Sequence, residues 1–330
     1  MGGNHNKKHA VLFLCGILFF SIISSSLPIS AEQHAKTIIV DKDGSGDYTT
    51  ITAAVDAAQP GDTIFVHDGV YEETEILIDK TITLTGETIS STIISGDETK
   101  TILIIQADNV VISTLTISEG GDWGGENIAV FANYIVLSDT VIEQGNGTGI
   151  SIHNSTGSII ENNVFTSNQE GIICYNCRET TISNNQVSDS IAGIYLYNSI
   201  DMLVEKNSVS TCNKGIYLEE SNDNLIQLND LSRNDQGAFI SYSANNLITE
   251  NNFISNREHA KFTTWLSPTG LQISKWNANY WDDAIAFLPK WIPGVLFIRT
   301  YNPIGIFLPW FSIDWHPAAE PYDIDGGNII

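Results

Sequence analysis

The chain contains 330 residues, of which 39 are acidic and 15 are basic, and its formal net charge is −24. This excess of negative charge argues against nucleic acid and anionic lipid as partners, because phosphate binding requires clustered Lys and Arg side chains. The composition suits a soluble extracytoplasmic protein that meets salt and divalent cations.

Residues 1–31 have the pattern of a secretory signal peptide. An apolar run at residues 10–23 follows two lysines and precedes a cleavage-site pattern that ends at Ala31. The run is short for a membrane span, which needs about 20 residues. We therefore predict a secreted protein of the cell envelope, with an uncleaved membrane anchor as the alternative.

Residues 32–72 are predicted to form a strand and a short helix that cover one end of a repeat domain. The β-branched segment at 37–41 is typical of a strand. Residues 47–58 place their apolar side chains on one face of an amphipathic helix, and Pro60-Gly61 ends it. An end cover of this kind hides strand edges and apolar core that a repeat domain otherwise exposes.

Residues 73–148 contain short β-branched segments without a fixed period. We predict three or four irregular coils in this part of the chain. A Gly-rich loop at 120–126 carries Trp123 at its tip. This Trp is a candidate contact residue, and the alternative is a side chain folded back onto the coil.

Residues 149–258 repeat every 22 residues, five times, without insertion or deletion. Each repeat opens with Gly, has apolar residues at its second and fourth positions, and carries Asn at one fixed position. The Asn column consists of Asn163, Asn185, Asn207, Asn229 and Asn251. A fixed period of this length indicates a solenoid, in which each repeat buries its apolar residues against its neighbours.

The chemistry of each repeat predicts strands. Apolar and polar residues alternate, and Asn, Ser, Asp or Gly separate the alternating segments. The Leu frame of leucine-rich repeats is missing, so we predict an all-β, single-stranded parallel β-helix with 22-residue coils. Residues 22 apart then lie above one another at about the 4.8 Å strand spacing. The Asn column becomes a structural ladder of side-chain hydrogen bonds inside a bend.

The repeat frame Gly-Ile-x-Leu-x-x-Ser-x-x-Asn-x-Ile-x-x-Asn resembles the right-handed parallel β-helix repeats of the pectin-lyase-like superfamily. Within it, the frame resembles the NosD-type proteins of archaeal and bacterial cell envelopes. The order Gly-Asp-Tyr-Thr-Thr-Ile followed by Pro-Gly-Asp-Thr-Ile is similar to the N-terminal end cover of that superfamily. The segment Asn-Tyr-Trp-Asp-Asp at 279–283 resembles the element that ends the β-helix in NosD-like proteins. The resemblance implies a right-handed β-helix over residues 73–283.

Residues 284–330 form an aromatic tail that prolines interrupt. Six of the seven Trp residues lie beyond position 258. No run of about 20 apolar residues occurs, so we predict no transmembrane span in the mature chain. We expect the tail to pack on the β-helix, over its C-terminal end or over one of its sheets.

Outward positions in the first strand of each repeat form aromatic columns. Stacked at the strand spacing, they are predicted to form a binding stripe that consists of Tyr175, Tyr195, Tyr197, Tyr217 and Phe239. A Tyr ring offers sugars a flat apolar surface with a polar rim, and exposed patches of this kind mark interaction sites. The alternative is that the apolar tail covers the stripe.

Glu179, Asp201 and Asp223 lie 22 residues apart in a predicted turn column. Carboxylates stacked about 5 Å apart repel one another unless they share a cation or a proton. The column is therefore a candidate Ca²⁺ site or a candidate acid–base pair for glycoside cleavage. The alternative is a row of solvated turn charges.

The predicted function is non-catalytic binding of a polysaccharide or another surface glycan. The first alternative is a polysaccharide lyase or glycoside hydrolase, although the Gly-His-Gly, Arg-Ile-Lys and Arg-x-Pro-x-x-Arg elements of related enzymes do not occur. The second follows from the resemblance, because NosD proteins are linked to periplasmic copper-site maturation. Cu(I) favours Met, Cys and His ligands, which are few and scattered here, so the copper role transfers poorly. Ca²⁺ is the one candidate cofactor.

Overall fold

The protein is described here from a computed structural model that covers residues 35–121, 125–145, 147–267, 270–285, 288–298 and 306–324. In this part of the chain, three parallel sheets run along a right-handed β-helix with coils of about 22 residues, and one short helix lies at its N-terminal end. The predicted fold class is confirmed. The predicted signal peptide and Trp123 lie outside the described residues.

Helix α1 spans Ile51–Ala57. Sheet A consists of β1 (Thr37–Val40), β2 (Thr63–Val66), β5 (Thr83–Gly86), β8 (Val111–Ser113), β11 (Val136–Ser138), β14 (Ile159–Glu161), β17 (Thr181–Ser183), β20 (Leu203–Glu205), β23 (Leu225–Gln227), β26 (Leu247–Thr249) and β30 (Lys275–Asn277). Sheet B consists of β3 (Gly69–Glu72), β6 (Thr92–Ser95), β9 (Thr116–Ser118), β12 (Val141–Glu143), β15 (Val164–Thr166), β18 (Gln186–Ser188), β21 (Ser208–Ser210), β24 (Asp230–Ser232), β27 (Asn252–Ile254) and β31 (Tyr280–Trp281). Sheet C consists of β4 (Ile76–Ile78), β7 (Leu103–Ile105), β10 (Glu126–Val130), β13 (Thr148–His153), β16 (Glu170–Tyr175), β19 (Ala192–Tyr197), β22 (Lys214–Glu219), β25 (Gln236–Ser241), β28 (Glu258–Ser267), β29 (Gly270–Leu271), β32 (Lys290–Ile298) and β33 (Ile306–Asp314).

Each complete coil contributes one strand to sheet C, then one to sheet A, then one to sheet B. In the regular coils a residue therefore pairs with the residue 22 positions away, as Ile172 does with Ile194. The offset is 23 where Val136 pairs with Ile159, because the intervening turn holds an extra residue near Gly157. This insertion ends the strict period in the sequence, although the coils continue on both sides of it.

The interior of the solenoid is filled by inward-facing apolar columns. Ile182, Val204 and Ile226 stack in sheet A, and each is at most 1% exposed. Full burial of such a side chain contributes about 1.5–3 kcal/mol. Glycine is required in the column that opens the repeats, since a Cβ at Gly193 would lie 2.4 Å from Cγ1 of Val209. The repeat frame is thus explained by packing.

Helix α1 covers the N-terminal end of the solenoid. Charged side chains from the coils form hydrogen bonds with the backbone at both ends of the helix. Thr50 is the N-cap, so the helix begins later than the predicted position 47. The Glu73 carboxylate accepts hydrogen bonds from the backbone N–H groups of Ile51 and Thr52. Lys80 donates to two carbonyls of the last turn. Both contacts have the sign that a helix dipole favours.

The Asn column forms a continuous hydrogen-bonded ladder inside the bend between sheets A and B. The backbone N–H and the Nδ2 group of Asn185 both donate to Oδ1 of Asn207, at 3.0 Å each. The same Nδ2 group donates to the carbonyl of Ile160 at 2.8 Å. The ladder continues to Thr140 at one end and to Asn279 at the other. All its Asn side chains are fully buried, and each Asn donates a side-chain hydrogen bond to the Oδ1 atom of the next Asn in the column.

Asp314 ends this ladder. Its Oδ2 atom accepts the backbone N–H and the Nδ2 group of Asn279, at 2.9 and 3.1 Å, and the indole N–H of Trp281 at 3.2 Å. A carboxylate suits the last position because it accepts hydrogen bonds and has none to donate. The side chain is fully buried. The terminal hairpin strand β33 is thereby fixed to the last coil.

The C-terminal hairpin of β32 and β33 continues sheet C. Strand β32 pairs in parallel with β28, and β33 pairs antiparallel with β32. Ile292 and Leu296 are buried below this hairpin, whereas its aromatic side chains such as Trp291 and Phe307 are exposed. None of the described helices is long and apolar enough to cross a membrane.

Candidate functional site

The outer face of sheet C carries two columns of rings. In the first, Tyr195 and Tyr217 stack at 4.5 Å between centroids, and Tyr217 and Phe239 stack at 5.2 Å. The interplanar angles are 11° and 10°, so these rings face one another along the solenoid. Solvent therefore meets their edges and hydroxyl groups.

The second column lies beside the first. Phe131, His153 and Tyr175 stack at 4.9 Å steps with interplanar angles of 17° and 15°. Tyr197 breaks the stacking, because its ring is turned 61° from Tyr175 and 75° from Tyr195. No parallel ring from these two columns covers the faces of Tyr197. We call these seven residues of the two columns the aromatic stripe.

Glu219 holds the first column in place. Its Oε2 atom accepts the phenol hydroxyl of Tyr195 at 2.5 Å and that of Tyr217 at 2.7 Å. Burial, and then the hydrogen bonds to this carboxylate, raise the pKa of both phenols. The Lys214 ammonium lies 3.6 Å from the Tyr217 ring centroid, and burial lowers its pKa. The rings are therefore neutral phenols with fixed orientations.

All five aromatic residues predicted from the sequence lie in this one surface. They are half-buried, and the C-terminal hairpin continues sheet C at its edge, with β32 next to β28. The stripe also contains Phe131, at 53% exposure, and His153. Phe131 precedes His153 by one 22-residue period, and the offset becomes 23 only beyond His153.

The predicted acidic column lies at the corner between sheets C and A. Glu179, Asp201 and Asp223 are exposed, and each has a left-handed backbone, with φ between 50° and 57°. Asn245 continues the column with φ 60°. Asp and Asn tolerate this conformation better than most residues, which accounts for a turn role. Elsewhere in the described chain, one His and two Asp side chains place their potential metal-ligand atoms within 4.8 Å of one another.

That group lies at the C-terminal end, in a cavity of about 400 Å³ beside the last coil. Nε2 of His259 is 2.9 Å from Asp282 and 3.3 Å from Asp283. Lys290 donates to both carboxylate oxygens of Asp283 at 2.6 Å. The Asp pair belongs to the segment that was predicted to end the β-helix, and no sequence pattern connects it with His259.

These features define a right-handed parallel β-helix of the pectin-lyase-like class. The A-module of a mannuronan C-5 epimerase (AlgE6) from Azotobacter vinelandii is similar, with a TM-score of 0.55, 16% identity, and coverage of 68% of this chain and 78% of that one. XylC in complex with xylose gives a TM-score of 0.62 at 14% identity over 74% and 68% of the two chains. Pectate lyase Pel9A gives 0.50 at 10% identity over 81% and 78%. At these identities the likeness concerns the fold alone.

A family model described as periplasmic copper-binding protein (NosD) matches residues 78–285, and the chain belongs to this family. A putative pectinesterase/pectinesterase inhibitor from Arabidopsis thaliana is 36% identical over 101 residues, which are 28% of this chain and 20% of that protein. A second such protein from the same plant is 34% identical over 86 residues, or 16% of its length. The chain thus spans about a fifth or less of the curated relatives it matches.

The copper in the family description does not fit the His259 cluster. An imidazole binds metal through an unprotonated nitrogen. Here Nδ1 of His259 faces the Nδ2 group of Asn256 at 3.3 Å. The orientation of that amide is fixed, because its Nδ2 donates to the Leu231 carbonyl and its Oδ1 accepts from Asn234. Nδ1 is therefore the acceptor, and the ring proton lies on Nε2, toward the carboxylates.

The other carboxylate of the cluster and the sulfur donors of the described chain are also unsuitable. Lys290 occupies both oxygens of Asp283 in the cluster. The sulfur atoms of Cys174, Cys177 and Met202 lie in the solenoid interior, with exposures of at most 1%. Burial raises the pKa of the third thiol, Cys212, to about 11, which disfavours the thiolate that metals require. We therefore derive no copper chemistry from these residues.

The His259 cluster predicts a pH-dependent contribution to stability. Burial lowers the pKa of His259 below the ordinary 6.5, and the two Asp carboxylates offset this only in part. The unfolded chain then binds more protons below pH 6.5, so stability decreases as the pH falls through this value. We expect a smaller loss in His259→Gln, which keeps a donor toward Asp282. Urea unfolding at about pH 7.5 and about pH 5.5 measures it, and equal losses in both proteins would contradict the assignment.

Proposed function

We propose that the protein is an extracytoplasmic, non-catalytic glycan-binding protein and that the aromatic stripe is its binding surface. The observation that carries the proposal is the continuity of the stripe, whose rings follow one another from Phe131, directly after β10, to Phe239 in β25. The periplasmic description of the family supports the location. Polysaccharide-active proteins among the structural neighbours support the ligand class.

The stripe offers two kinds of contact to a sugar chain. Tyr197 presents a ring that its neighbours do not stack on, and this surface suits the apolar face of a sugar. The stacked rings of Tyr195 and Tyr217 present edges and hydroxyl groups. The Glu170 carboxylate, which accepts from Thr148 at 2.9 Å, adds an acceptor for sugar hydroxyls along the border. Such alternation of apolar and polar contacts is typical of carbohydrate recognition surfaces.

The charge of this face favours a neutral glycan. Glu126, Glu170 and Glu219 border the stripe. Lys214 lies over Tyr217, and Lys261 follows Phe239 in the first column, where it forms an ion pair with Glu258. The whole chain has 39 acidic and 15 basic residues. Like charges brought together across an interface destabilise it. A uronate polymer is therefore a poorer ligand than an uncharged polysaccharide, even though mannuronan and pectate name several proteins of similar fold.

The same residues argue against catalysis at the stripe. A Tyr that abstracts a proton needs a phenolate and hence a lowered pKa. The pKa values of Tyr195 and Tyr217 are raised instead, first by burial and then by Glu219. Glu219 in turn accepts two phenol hydroxyls and is not free to accept a substrate proton. Binding without bond cleavage is the function that this geometry favours.

We expect the double variant Tyr195→Ala/Tyr217→Ala to lose at least about tenfold in affinity for a neutral polysaccharide, because anchor rings at an interface often contribute more than 1 kcal/mol each. Affinity electrophoresis against a panel of neutral and uronate polysaccharides measures this. Tyr134→Ala is the matched control, since Tyr134 is 53% exposed outside the stripe. Equal mobility shifts for the double variant and the control would refute the assignment, as would a preference for uronates.

A further inference from the structure

A second concave surface lies at the corner between sheets C and A, near the C-terminal end. It is a groove of about 590 Å³ whose walls include Tyr242, Trp265 and Phe297. These rings come from separate elements, namely the turn after β25, strand β28 and strand β32. Trp265 is 48% exposed in this groove. The volume falls in the range of small-molecule sites, about 300–1,000 Å³.

Tyr242 is an unusual residue for its position in the coil. Its backbone is left-handed, with φ 49°. The equivalent position in earlier coils is held by Asn154, Asn176, Asn198 and Glu220, which have the same conformation. Asn adopts this region readily, whereas a bulky side chain does so at a cost. The sequence therefore departs from the Asn of the repeat at the two coils that supply Glu220 and Tyr242 to the groove.

The charged residues of the groove have one sign. Glu220 and Asp223 lie in its lining, which also contains the amides of Asn222, Asn245 and Gln272. Lys, Arg and His are missing from the lining as described. Asp223 is the one residue of the predicted acidic column in this lining, because its coil is next to the residues that form the aromatic walls. A ligand with a positive charge is complementary to this lining.

From this combination we infer that the groove binds the ammonium group of a small organic cation. Aromatic faces attract cations through their quadrupole, most strongly Trp, and aromatic walls are the usual receptors of quaternary ammonium groups. Glu220 and Asp223 supply the opposite charge. A hard metal ion is a poorer occupant, because it requires six or more oxygen ligands in place of aromatic walls. The site is separate from the aromatic stripe, so it extends the proposed function.

Matched pairs of ligands test the charge requirement. Choline and its uncharged isostere 3,3-dimethylbutan-1-ol form one pair, and glucosamine and glucose form the other. Titration calorimetry of the full chain is expected to give at least about tenfold tighter binding of the cation in one or both pairs. Choline alone would identify a quaternary ammonium site, and glucosamine a protonated amino sugar site. Equal affinities within both pairs, or no binding of either cation, would overturn the inference.

Variants test the location. Trp265→Leu keeps an apolar wall and removes the indole, and Asp223→Asn removes one charge at similar volume. Each is expected to weaken cation binding about fivefold or more. Trp315→Leu is the control, since Trp315 is 63% exposed in the tail and does not line the groove. Full affinity in both groove variants would overturn the assignment. The stripe variant Tyr195→Ala/Tyr217→Ala is expected to bind the cation normally, so this proposal and the proposed function fail separately.

Discussion

Replacing Asp314 with Ala is expected to lower the free energy of unfolding by about 3–5 kcal/mol, because each buried donor left without a partner costs about 1–3 kcal/mol. Two donors of Asn279 and the indole N–H of Trp281 lose their acceptor in this variant. Asp314→Asn is expected to fall between wild type and Asp314→Ala, since its amide keeps one oxygen and turns an N–H₂ group toward the other donors.

Urea unfolding followed by Trp fluorescence measures both changes. Asp323→Ala is the control, because Asp323 lies exposed in the same tail. Its expected effect is within about 0.5 kcal/mol. If Asp314→Ala unfolds at the same urea concentration as this control, the carboxylate does not end the ladder in the way described.

The second large effect is expected inside the ladder. Asn207→Ala removes the acceptor of two Asn185 donors and the Nδ2 group that donates to the carbonyls of Ile182 and Glu205. We expect a loss of about 3–5 kcal/mol in the free energy of unfolding, by the same cost per orphaned group. Thermal and urea unfolding measure the loss.

Asn213→Ala is the matched control for the ladder. Asn213 lies exposed on a turn of the next bend of the same coil, and its backbone makes the coil-to-coil bond to Ser190. We expect a change within about 0.5 kcal/mol. A ladder variant as stable as this control would mean that water or backbone shifts replace the Asn side chain without cost.

The regular part of the fold was predictable because one physical constraint repeats. Coils that stack at the strand spacing must place like residues above one another, so the Asn column and the inward Ile columns appear directly in the sequence at 22-residue intervals. Residue Asp314 was not predictable in this way. It reaches the ladder through the terminal hairpin, 35 residues beyond Asn279, and no period connects the two.

The candidate site was predictable to a similar degree. Five of the seven stripe residues were predicted from the period. The direction of the rings does not follow from it, since Tyr197 turns away from Tyr175 in a column of equal spacing. The pairing of Glu219 with two phenols also depends on side-chain rotamers that the sequence does not encode locally. The His259 cluster and the groove contain residues of the coils and of the C-terminal hairpin. The sequence separations between these residues follow no period, so the two sites could not be predicted from it.

The predicted turn column of Glu179, Asp201 and Asp223 illustrates the limit of the periodic argument. Equal spacing placed the three carboxylates in one row at one corner of the solenoid. Their common left-handed backbone gives a reason for Asp at these turns that needs no ligand. Asp223 differs from the other two because aromatic residues of the last coil and of β32 surround a groove beside it.

The most direct test of the proposed function is to incubate wild-type protein with neutral polysaccharides. In the same samples, retention of the protein on the polysaccharide and new polysaccharide chain ends are measured. Retention without new chain ends is the result that a non-catalytic binding stripe predicts. New chain ends would contradict this function and favour a glycoside-cleaving enzyme. Absence of retention on every neutral polysaccharide of the panel would contradict it as well, because the stripe would then have no glycan to bind.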